Sequence, residues 1–200
     1  IYADYCNGSI WSVAYNGTTV SNFVNRTAEL HPTGGHSINN PTSFGQDANG
    51  ELYICDLGGG EVYRIDALCP TPTNYCVGAI NSTGGGSTMG FTGSGSMSAN
   101  NLQLFAFGNP PNVNGQFLYG QGTAQVPVYN GFRCYASNLH RLPVIQTDSF
   151  GDAQWAFDVN APPAVILPGS TWNFQFFYRD QGVGAGANTS DALSVPFCVH

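Results

Sequence analysis

The sequence predicts an all-β protein in which an antiparallel β-meander is followed by a β-sandwich, both stabilised by disulfides. Glycine occurs 26 times, aromatic residues make up 13% of the 200 residues, and charged residues only 8%. This mixture of aromatic, β-branched and turn-forming residues is typical of short strands joined by tight turns. Helices favour lysine and glutamate, and the chain has no lysine. A helical fold is therefore not expected.

The first domain is predicted to span residues 1–68. Apolar and β-branched segments of about six residues alternate here with glycine and proline turns. Asn16 and Gly17 form a turn of the hairpin type between the first two strands. This spacing suits one sheet of a radially repeated fold. The predicted strands cover residues 9–15, 18–24, 43–47, 51–56 and 61–66.

Residues 69–76 are predicted to be a proline-rich linker. Pro70 and Pro72 lack the N–H group that a strand ladder needs, and they stiffen the backbone. Cys69 and Cys76 stand at the two ends, where a disulfide between them would clasp the segment.

Residues 77–200 are predicted to form the β-sandwich, because short strands and frequent turns recur over this length. Trp172, Phe174, Phe176 and Tyr178 alternate along one strand and share a face, which we expect to lie in the core. A platform that stacks on carbohydrate is the alternative for this face. Strands are predicted at residues 77–81, 102–107, 116–120, 124–129, 131–135, 154–159, 171–179 and 193–199, with strand and loop in 82–98.

Charge and processing signals favour a secreted protein. The formal net charge is −7, so the chain lacks the basic face that binding to nucleic acid requires. Without lysine, Schiff-base and P-loop chemistry are excluded. No apolar run is long enough to insert across a membrane. Since the chain begins at Ile1 with no signal peptide, we expect a mature terminus or a piece of a longer precursor.

An even number of cysteines in such a chain indicates disulfides in an oxidising compartment. Six cysteines allow 15 pairings, and the sequence does not choose among them. The cysteines expected to take part are Cys6, Cys55, Cys69, Cys76, Cys134 and Cys198. The N-x-S/T triplets are weak candidates for glycosylation. They lie at Asn7, Asn16, Asn25, Asn81 and Asn188.

Residues 2–13 and 43–65 carry the motifs D-Y-C-x-G-x-I-W and S-F-G-x-D-x-x-G-E-L-Y. In these segments the chain resembles the last part of secreted sugar dehydrogenases of the soluble glucose/sorbosone dehydrogenase type. Members of that family are six-bladed β-propellers that use pyrroloquinoline quinone (PQQ) and calcium. The resemblance implies that residues 1–68 form a partial β-propeller of about one and a half blades.

The resemblance covers only the end of that fold. In the family, the catalytic histidine, the calcium ligands and most quinone contacts lie in earlier blades. Basic residues near the strand that matches residues 5–13 help to hold the quinone, whereas this chain has Cys6, Asn7 and Ser9 there. We therefore assign no catalytic, cofactor-binding or metal-binding residue. PQQ and calcium are expected only if a full propeller precedes this chain.

A second resemblance covers residues 75–200. This part is similar to a C-terminal domain of secreted proteins from planctomycetes and related bacteria, which often follows a propeller. The resemblance implies an Ig-like β-sandwich appendage and carries no assigned chemistry. The matching segments are residues 75–84, 107–120, 130–134, 140–143, 168–180 and 188–197.

The histidines and acids form no recognisable active-site motif. His31 and His36 lie in a loop rich in glycine and proline at poor spacing for a metal site, so a solvated loop is favoured. Asp148, Asp152 and Asp158 resemble a carboxylate pair only loosely. Their spread over a loop favours a role in turns.

Together these patterns predict a secreted, non-catalytic structural or cell-surface module. A partial propeller leaves sheet edges unpaired, and edges with few charges invite pairing with another copy, in the extreme case into fibres. Other copies of the chain are the expected partners, and glycans are a further candidate. Two alternatives stay open: the C-terminal portion of a PQQ-dependent sugar dehydrogenase whose catalytic blades are absent here, and a carbohydrate-binding module.

Overall fold

The computed structural model describes residues 1–48, 50–66, 69–161 and 165–199. The described residues form strands and turns and contain no helix, as the composition predicts. The chain divides into two compact units, Ile1–Asp66 and Ala67–His200. Residues 67 and 68, where the first domain was predicted to end, and residue 200 lie outside the described residues.

Unit 1 consists of two antiparallel three-stranded sheets, with strand orders β1-β2-β3 and β4-β5-β6. Each is a meander of consecutive strands, and the five predicted strands of residues 9–66 all correspond to an observed one. The partial-propeller arrangement is not established by these sheets, so it remains a prediction. The strands are β1 (Tyr2–Ala3), β2 (Ile10–Tyr15), β3 (Val20–Asn25), β4 (Pro41–Gln46), β5 (Leu52–Asp56) and β6 (Val62–Ile65).

Unit 1 buries few large side chains. Among its described residues, Ile10 and Ile54 are the large apolar side chains that are fully buried. Many others remain exposed, although burial of such side chains is the main driving force of folding. The exposed ones are Ile1, Tyr2, Tyr5, Tyr15, Val20, Phe23, Val24, Leu52, Leu57 and Val62.

A buried carboxylate adds hydrogen bonds that help to hold unit 1 together. Asp56, at the end of β5, is only 3% exposed. Its carboxylate accepts hydrogen bonds from the backbone N–H groups of Asn40 (2.7 Å), Asn39 (3.2 Å) and Gly59 (3.2 Å). Burial alone raises the pKa of Asp56, but these N–H donors outweigh it, so the pKa lies below its ordinary value of 3.8. The charged form of Asp56 therefore holds two loops together.

Because its pKa is lowered on folding, Asp56 stabilises unit 1 above pH 3.8, and this contribution is lost as the pH falls through the folded-state value. We expect Asp56→Asn to lower the stability of unit 1 at neutral pH and to flatten its acid dependence. Amide NMR signals of β5, followed in urea at several pH values, measure both effects. Asp66→Asn, which removes the same charge from an exposed ion pair with Arg64, is the control and should change little. Equal effects of both variants would contradict this role of Asp56.

Unit 2 is built from two sheets. Six strands form the larger sheet, in the order β11-β10-β14-β15-β7 with β12 paired to β10, and three form the smaller sheet, β13-β9-β8. The strands are β7 (Thr73–Tyr75), β8 (Thr88–Thr92), β9 (Gln103–Phe107), β10 (Asn114–Val128), β11 (Gly131–Arg141), β12 (Ile145–Gln146), β13 (Ala153–Ala156), β14 (Thr171–Arg179) and β15 (Ala187–Pro196).

One hydrophobic core joins the two sheets of unit 2. Leu104 and Ala106 of the smaller sheet belong to the same buried cluster as Phe117, Phe174 and Leu193 of the larger one. Shared burial of two sheet faces defines a two-layer β arrangement. The finer Ig-like arrangement of the strands remains a prediction.

The predicted linker is part of unit 2. Residues 73–75 form β7, which pairs with Ala192, Leu193 and Ser194 of β15 at the edge of the larger sheet. Proline is tolerated beside a short edge strand, so Pro70 and Pro72 do not prevent this pairing. The strand predicted at residues 77–81 is wrong, because this segment forms only one bridge, between Ile80 and Gly86.

Three strands, β10, β11 and β15, are longer than predicted. β10 has 15 residues and runs through both segments predicted as separate strands, and β11 continues past Tyr135 to Arg141. The register between them shifts twice, between Tyr119 and Gln121 and between Thr123 and Val126. Such bulges bend a strand and increase its twist without ending it.

Disulfides fasten both ends of β7. Cys69 is joined to Cys198, and Cys76 to Cys134 of β11. The prediction of disulfides is thus confirmed for four cysteines, but a clasp between Cys69 and Cys76 is not formed. Cys6 and Cys55 are free thiols, which corrects the expectation that all six cysteines take part. The two disulfides close loops of 129 and 58 residues. In the chain-entropy model, each disulfide of this span stabilises the folded state by about 4–5 kcal/mol.

We expect Cys76→Ser/Cys134→Ser to lower the free energy of unfolding of unit 2 by about 4 kcal/mol, since β7 loses one of its attachments. Cys6→Ser/Cys55→Ser is the matched control and should change it by about 0.5 kcal/mol or less. Urea unfolding measures both. Alkylation of the denatured, unreduced chain should label two thiols. Labelling of none would contradict the pairing.

Candidate functional site

The aromatic face predicted on residues 171–179 lies in the core. Trp172, Phe174, Phe176 and Tyr178 are all buried in the cluster between the two sheets. The prediction of a core face is confirmed. These rings therefore cannot stack on a sugar, and this face does not provide the platform considered as the alternative.

The five glycosylation candidates separate into two groups. Asn81 and Asn188 are buried, and their Nδ2 atoms donate to Gly108 and Tyr178 and to Ile80, respectively. A glycan would break these bonds and open the core, so both are excluded as sites on the folded chain. The exposed triplets of unit 1 at Asn7, Asn16 and Asn25 remain candidates.

Two of the three acids of the 148–158 region, Asp148 and Asp158, serve as turn formers, as predicted. The Oδ1 atom of Asp148 accepts hydrogen bonds from the backbone N–H groups of Phe150 (2.8 Å) and Asp152 (2.9 Å). Asp158 accepts in the same way from Asn160 (2.9 Å). These backbone donors hold the pKa of both Asp148 and Asp158 below its ordinary value. Both carboxylates are therefore committed to turn geometry.

The segment that carries the first dehydrogenase motif begins with a local turn. The backbone N–H groups of Cys6 and Asn7 both donate to Oδ1 of Asp4, at 2.8 and 3.3 Å, so this segment is a local turn closed by a carboxylate. Within the described ranges, no group of three or more His, Cys, Asp or Glu residues is placed to hold a metal ion.

One edge strand of unit 1 is fully exposed and uncharged. All six residues of β3 are exposed, and none of them is charged. β3 pairs on one side with β2 and lies at the end of its sheet, so its other side presents backbone N–H and C=O groups. Phe23 is 62% exposed and follows Asn22, which has a positive φ of 52° within a local register shift.

The second candidate region lies on the outer face of the larger sheet of unit 2. Side chains alternate between the faces of a strand, so Gln175, Phe177 and Arg179 of β14 point away from the core. The antiparallel register places Leu118 of β10 beside Gln175, and Arg141 of β11 beside Leu118. Residues distant in sequence thus meet in one row across three strands.

The β10–β11 hairpin curls over this outer face. The side-chain amide of Gln175 donates to the carbonyl of Phe132 (2.8 Å) and accepts from the N–H of Cys134 (3.2 Å). Phe132 N–H also donates to Oγ1 of Thr189 (3.0 Å). Gln175 is consequently only 1% exposed, although it points away from the core. The curl turns a flat sheet face into a concave one.

The result is a cavity of about 410 Å³, which we call the arginine groove. Its volume is typical of small-molecule sites. Three guanidinium groups reach it, from β11 and β14, and they share it with apolar and aromatic side chains. The residues that define it here are Leu118, Tyr129, Arg133, Arg141, Phe177 and Arg179.

The groove concentrates positive charge in an acidic protein. Salt bridges in the described part of the chain involve Arg26 and Arg64 of unit 1, whereas the three groove arginines form none. No described acid lines the groove. Asp180 follows Arg179 but is fully buried, where its Oδ1 accepts the N–H of Ser82 (3.1 Å).

An aromatic pair borders the groove. The rings of Tyr129 and Phe177 lie 5.4 Å apart between centroids, and Tyr129 is largely exposed. Tyr129 is the first residue of the two-residue turn between β10 and β11 and has φ of 51°. Glycine is the usual residue at such a position, because a side chain there is strained.

Sequence reasoning missed this groove. Arg133 and Arg141 lie eight residues apart on β11 and Arg179 lies on β14, and no local pattern in the sequence indicates that they line one cavity. One signal was available for Arg179: it alternates with Tyr178, so a core face for Tyr178 implies an outer face for Arg179.

The pKa of Tyr135 depends on the positive charges in the groove. It is 5% exposed, and burial raises its pKa, while the positive charges of Arg133 and Arg141 partly lower it again. We expect Arg133→Gln/Arg141→Gln to raise the Tyr135 pKa further. Arg179→Gln is the control, since Arg179 does not act on this phenol. An NMR titration of ¹³Cζ-labelled tyrosine measures the value, and a lowered or unchanged pKa in the double variant would contradict the arrangement.

Comparisons with protein-family models, curated proteins and solved structures found no match to this chain. The described residues also contain no helix able to cross a membrane. The two structural disulfides are consistent with an extracellular protein.

Proposed function

We propose that the protein is a secreted, non-catalytic module that assembles with other copies of itself through the open edge of β3. The observation that carries this proposal is the full exposure of an uncharged edge strand in a unit with a small core. A strand from a second copy would satisfy the free backbone groups of β3 and cover its apolar side chains. Both changes lower the free energy of the pair.

The other described edges of unit 1 are less suited to pairing. β1 has only two residues, and β4 begins with Pro41, which lacks an N–H donor. β6 carries Arg64, whose guanidinium pairs with Asp66 (2.6 Å), and charge on an edge opposes addition of another strand. β3 has neither proline nor charge along its six residues. Apart from the register shift at Asn22, β3 therefore has the fewest features that oppose strand addition.

The choice of partner edge decides the form of the assembly. Antiparallel pairing of β3 with β3 of a second copy is two-fold symmetric and closes as a dimer. Pairing of β3 with a different edge leaves β3 of the second copy free, and repetition then builds a fibre. We favour an extracellular setting because two structural disulfides brace unit 2.

Phe23→Glu places a charge at the centre of the edge and removes an exposed ring. We expect it to weaken self-association by at least about tenfold, since burial of a phenylalanine is lost. Sedimentation velocity over a range of protein concentrations measures the association constant. Val20→Lys, at another position of β3, should have a similar effect.

Phe150→Glu is the matched control, because Phe150 is an exposed phenylalanine of unit 2. It should associate as the unchanged protein does. A wild-type chain that stays monomeric at every concentration would overturn the proposal. So would equal association constants for the wild type and both β3 variants, provided that near-UV circular dichroism shows them folded.

A further inference from the structure

We propose that the arginine groove of unit 2 binds an acidic oligosaccharide whose carboxylates pair with its three arginines. This binding function is additional to assembly through β3 and does not depend on it. It also differs from the carbohydrate platform considered from the sequence, which was placed on rings that are buried.

Charge complementarity gives the first argument. The chain has a formal net charge of −7 and only five basic side chains of lysine or arginine type. Arg133, Arg141 and Arg179 all line this one cavity, and no described acid lines it with them. In the described residues these three make no ion pair, while Arg26 and Arg64 do. A guanidinium offers paired donors that match a carboxylate, so the groove is preset for an anion.

The position of the groove argues for a glycan rather than an acidic peptide. Peptides in extended form are usually bound through main-chain hydrogen bonds at a sheet edge. The groove lies on a face, where β10 pairs with β11 and β14, and β14 pairs with β15. The backbone groups of β10 and β14 are thus used by neighbouring strands. β11 is the edge strand of this sheet, but the N–H groups of its Phe132 and Cys134 bond to the side chains of Thr189 and Gln175. Recognition on the floor of the groove therefore comes from side chains, which suits a ligand that carries its own hydroxyl and carboxylate groups.

The aromatic border gives the third argument. Tyr129 presents an exposed ring against Phe177 at 5.4 Å between centroids, beside the guanidinium groups. An aromatic face next to polar groups can cover the apolar side of a sugar ring while those groups bind its substituents. Tyr129 holds a positive φ that favours glycine, and retention of a bulky ring at a strained position is typical of functional sites.

The strained turn is also fixed in place. The side-chain amide of Asn130 donates to the carbonyl of Val183 (2.8 Å) and accepts from the N–H of Ala185 (2.7 Å). These bonds attach the hairpin tip to the loop between β14 and β15. The ring of Tyr129 is therefore held in position before a ligand arrives, which reduces the entropy lost on binding.

Isothermal titration calorimetry of the full chain with an oligogalacturonate of defined length tests the proposal. Its fully methyl-esterified form, which is neutral, and hexaglutamate, which is an acidic peptide, serve as the comparison ligands. We expect the oligogalacturonate to bind at least about tenfold more tightly than either, with an affinity that falls as salt rises. Equal binding of the neutral form would overturn the role of the arginines. Equal binding of hexaglutamate would overturn the assignment to a glycan, and no binding of any ligand would overturn the site.

Variants separate the groove from general charge effects. Arg133→Gln, Arg141→Gln and Arg179→Gln should each weaken binding of the oligogalacturonate about tenfold. Lysine at the same positions should restore part of the affinity, because the charge returns without the paired donors. Arg26→Gln removes the same charge from unit 1 and should leave the affinity unchanged. An equal loss for Arg26→Gln would contradict a specific groove.

Tyr129→Ala tests the aromatic contact. It should weaken the oligogalacturonate by about fivefold or more while hexaglutamate binding changes little. Thermal unfolding confirms that each variant is folded, which is expected because Tyr129 and the three arginines are exposed. An unchanged affinity in Tyr129→Ala would remove the sugar-ring contact from the proposal and overturn its glycan specificity.

Discussion

Backbone hydrogen bonding at a sheet edge is the constraint on which the behaviour of unit 1 depends. Each strand must pair its N–H and C=O groups or leave them to water, and a two-sided pairing also shields the side chains around it. Unit 1 places a six-residue strand without charge or proline at such an edge. Among its described residues, Ile10 and Ile54 are the large apolar side chains that are fully buried, while ten others are exposed. A strand from outside the molecule would pair the free backbone groups of β3 and cover its exposed apolar side chains.

Unit 2 covers its sheet faces with its own strands. Its larger sheet is covered on one face by the smaller sheet and in part on the other by the curled β10–β11 hairpin. Gln175 shows the extent of this coverage. Its side chain points away from the core, yet it is only 1% exposed because its amide is bonded to Phe132 and Cys134 of the hairpin. The hairpin could not lie flat and cover the face at once, so the register shifts that bend it also shape the arginine groove.

The sequence predicted features that depend on local alternation, such as which face of a strand is buried. It did not predict features that depend on the pairing of distant segments. The burial of Trp172 and Phe174 followed from a period of two along one strand. The prolines of residues 69–76 suppressed the strand signal of β7, whose position is fixed by the disulfides to Cys134 and Cys198. Choosing two pairs among six cysteines requires the tertiary structure. The arginine groove could not be predicted either, because the register of the bent strands brings arginines of β11 and β14 to one cavity.

The two proposals divide the chain by physical task. Unit 1 offers backbone groups and apolar side chains along an edge, which favours another strand. Unit 2 offers a fixed set of guanidinium and aromatic groups in a cavity, which favours an anionic ligand. Assembly uses the unpaired edge of unit 1, and anion binding uses the arginines of unit 2 that form no salt bridge. Neither proposal requires a reacting group.

Hydrogen–deuterium exchange at two protein concentrations tests the central claim about β3 most directly. Backbone amides that gain a partner in an assembly become protected, and those elsewhere do not. The account predicts slower exchange of residues 20–25 at the higher concentration, with no change in residues 62–65 or in β14. Identical exchange of residues 20–25 at both concentrations, across a range in which the chain associates, would contradict it.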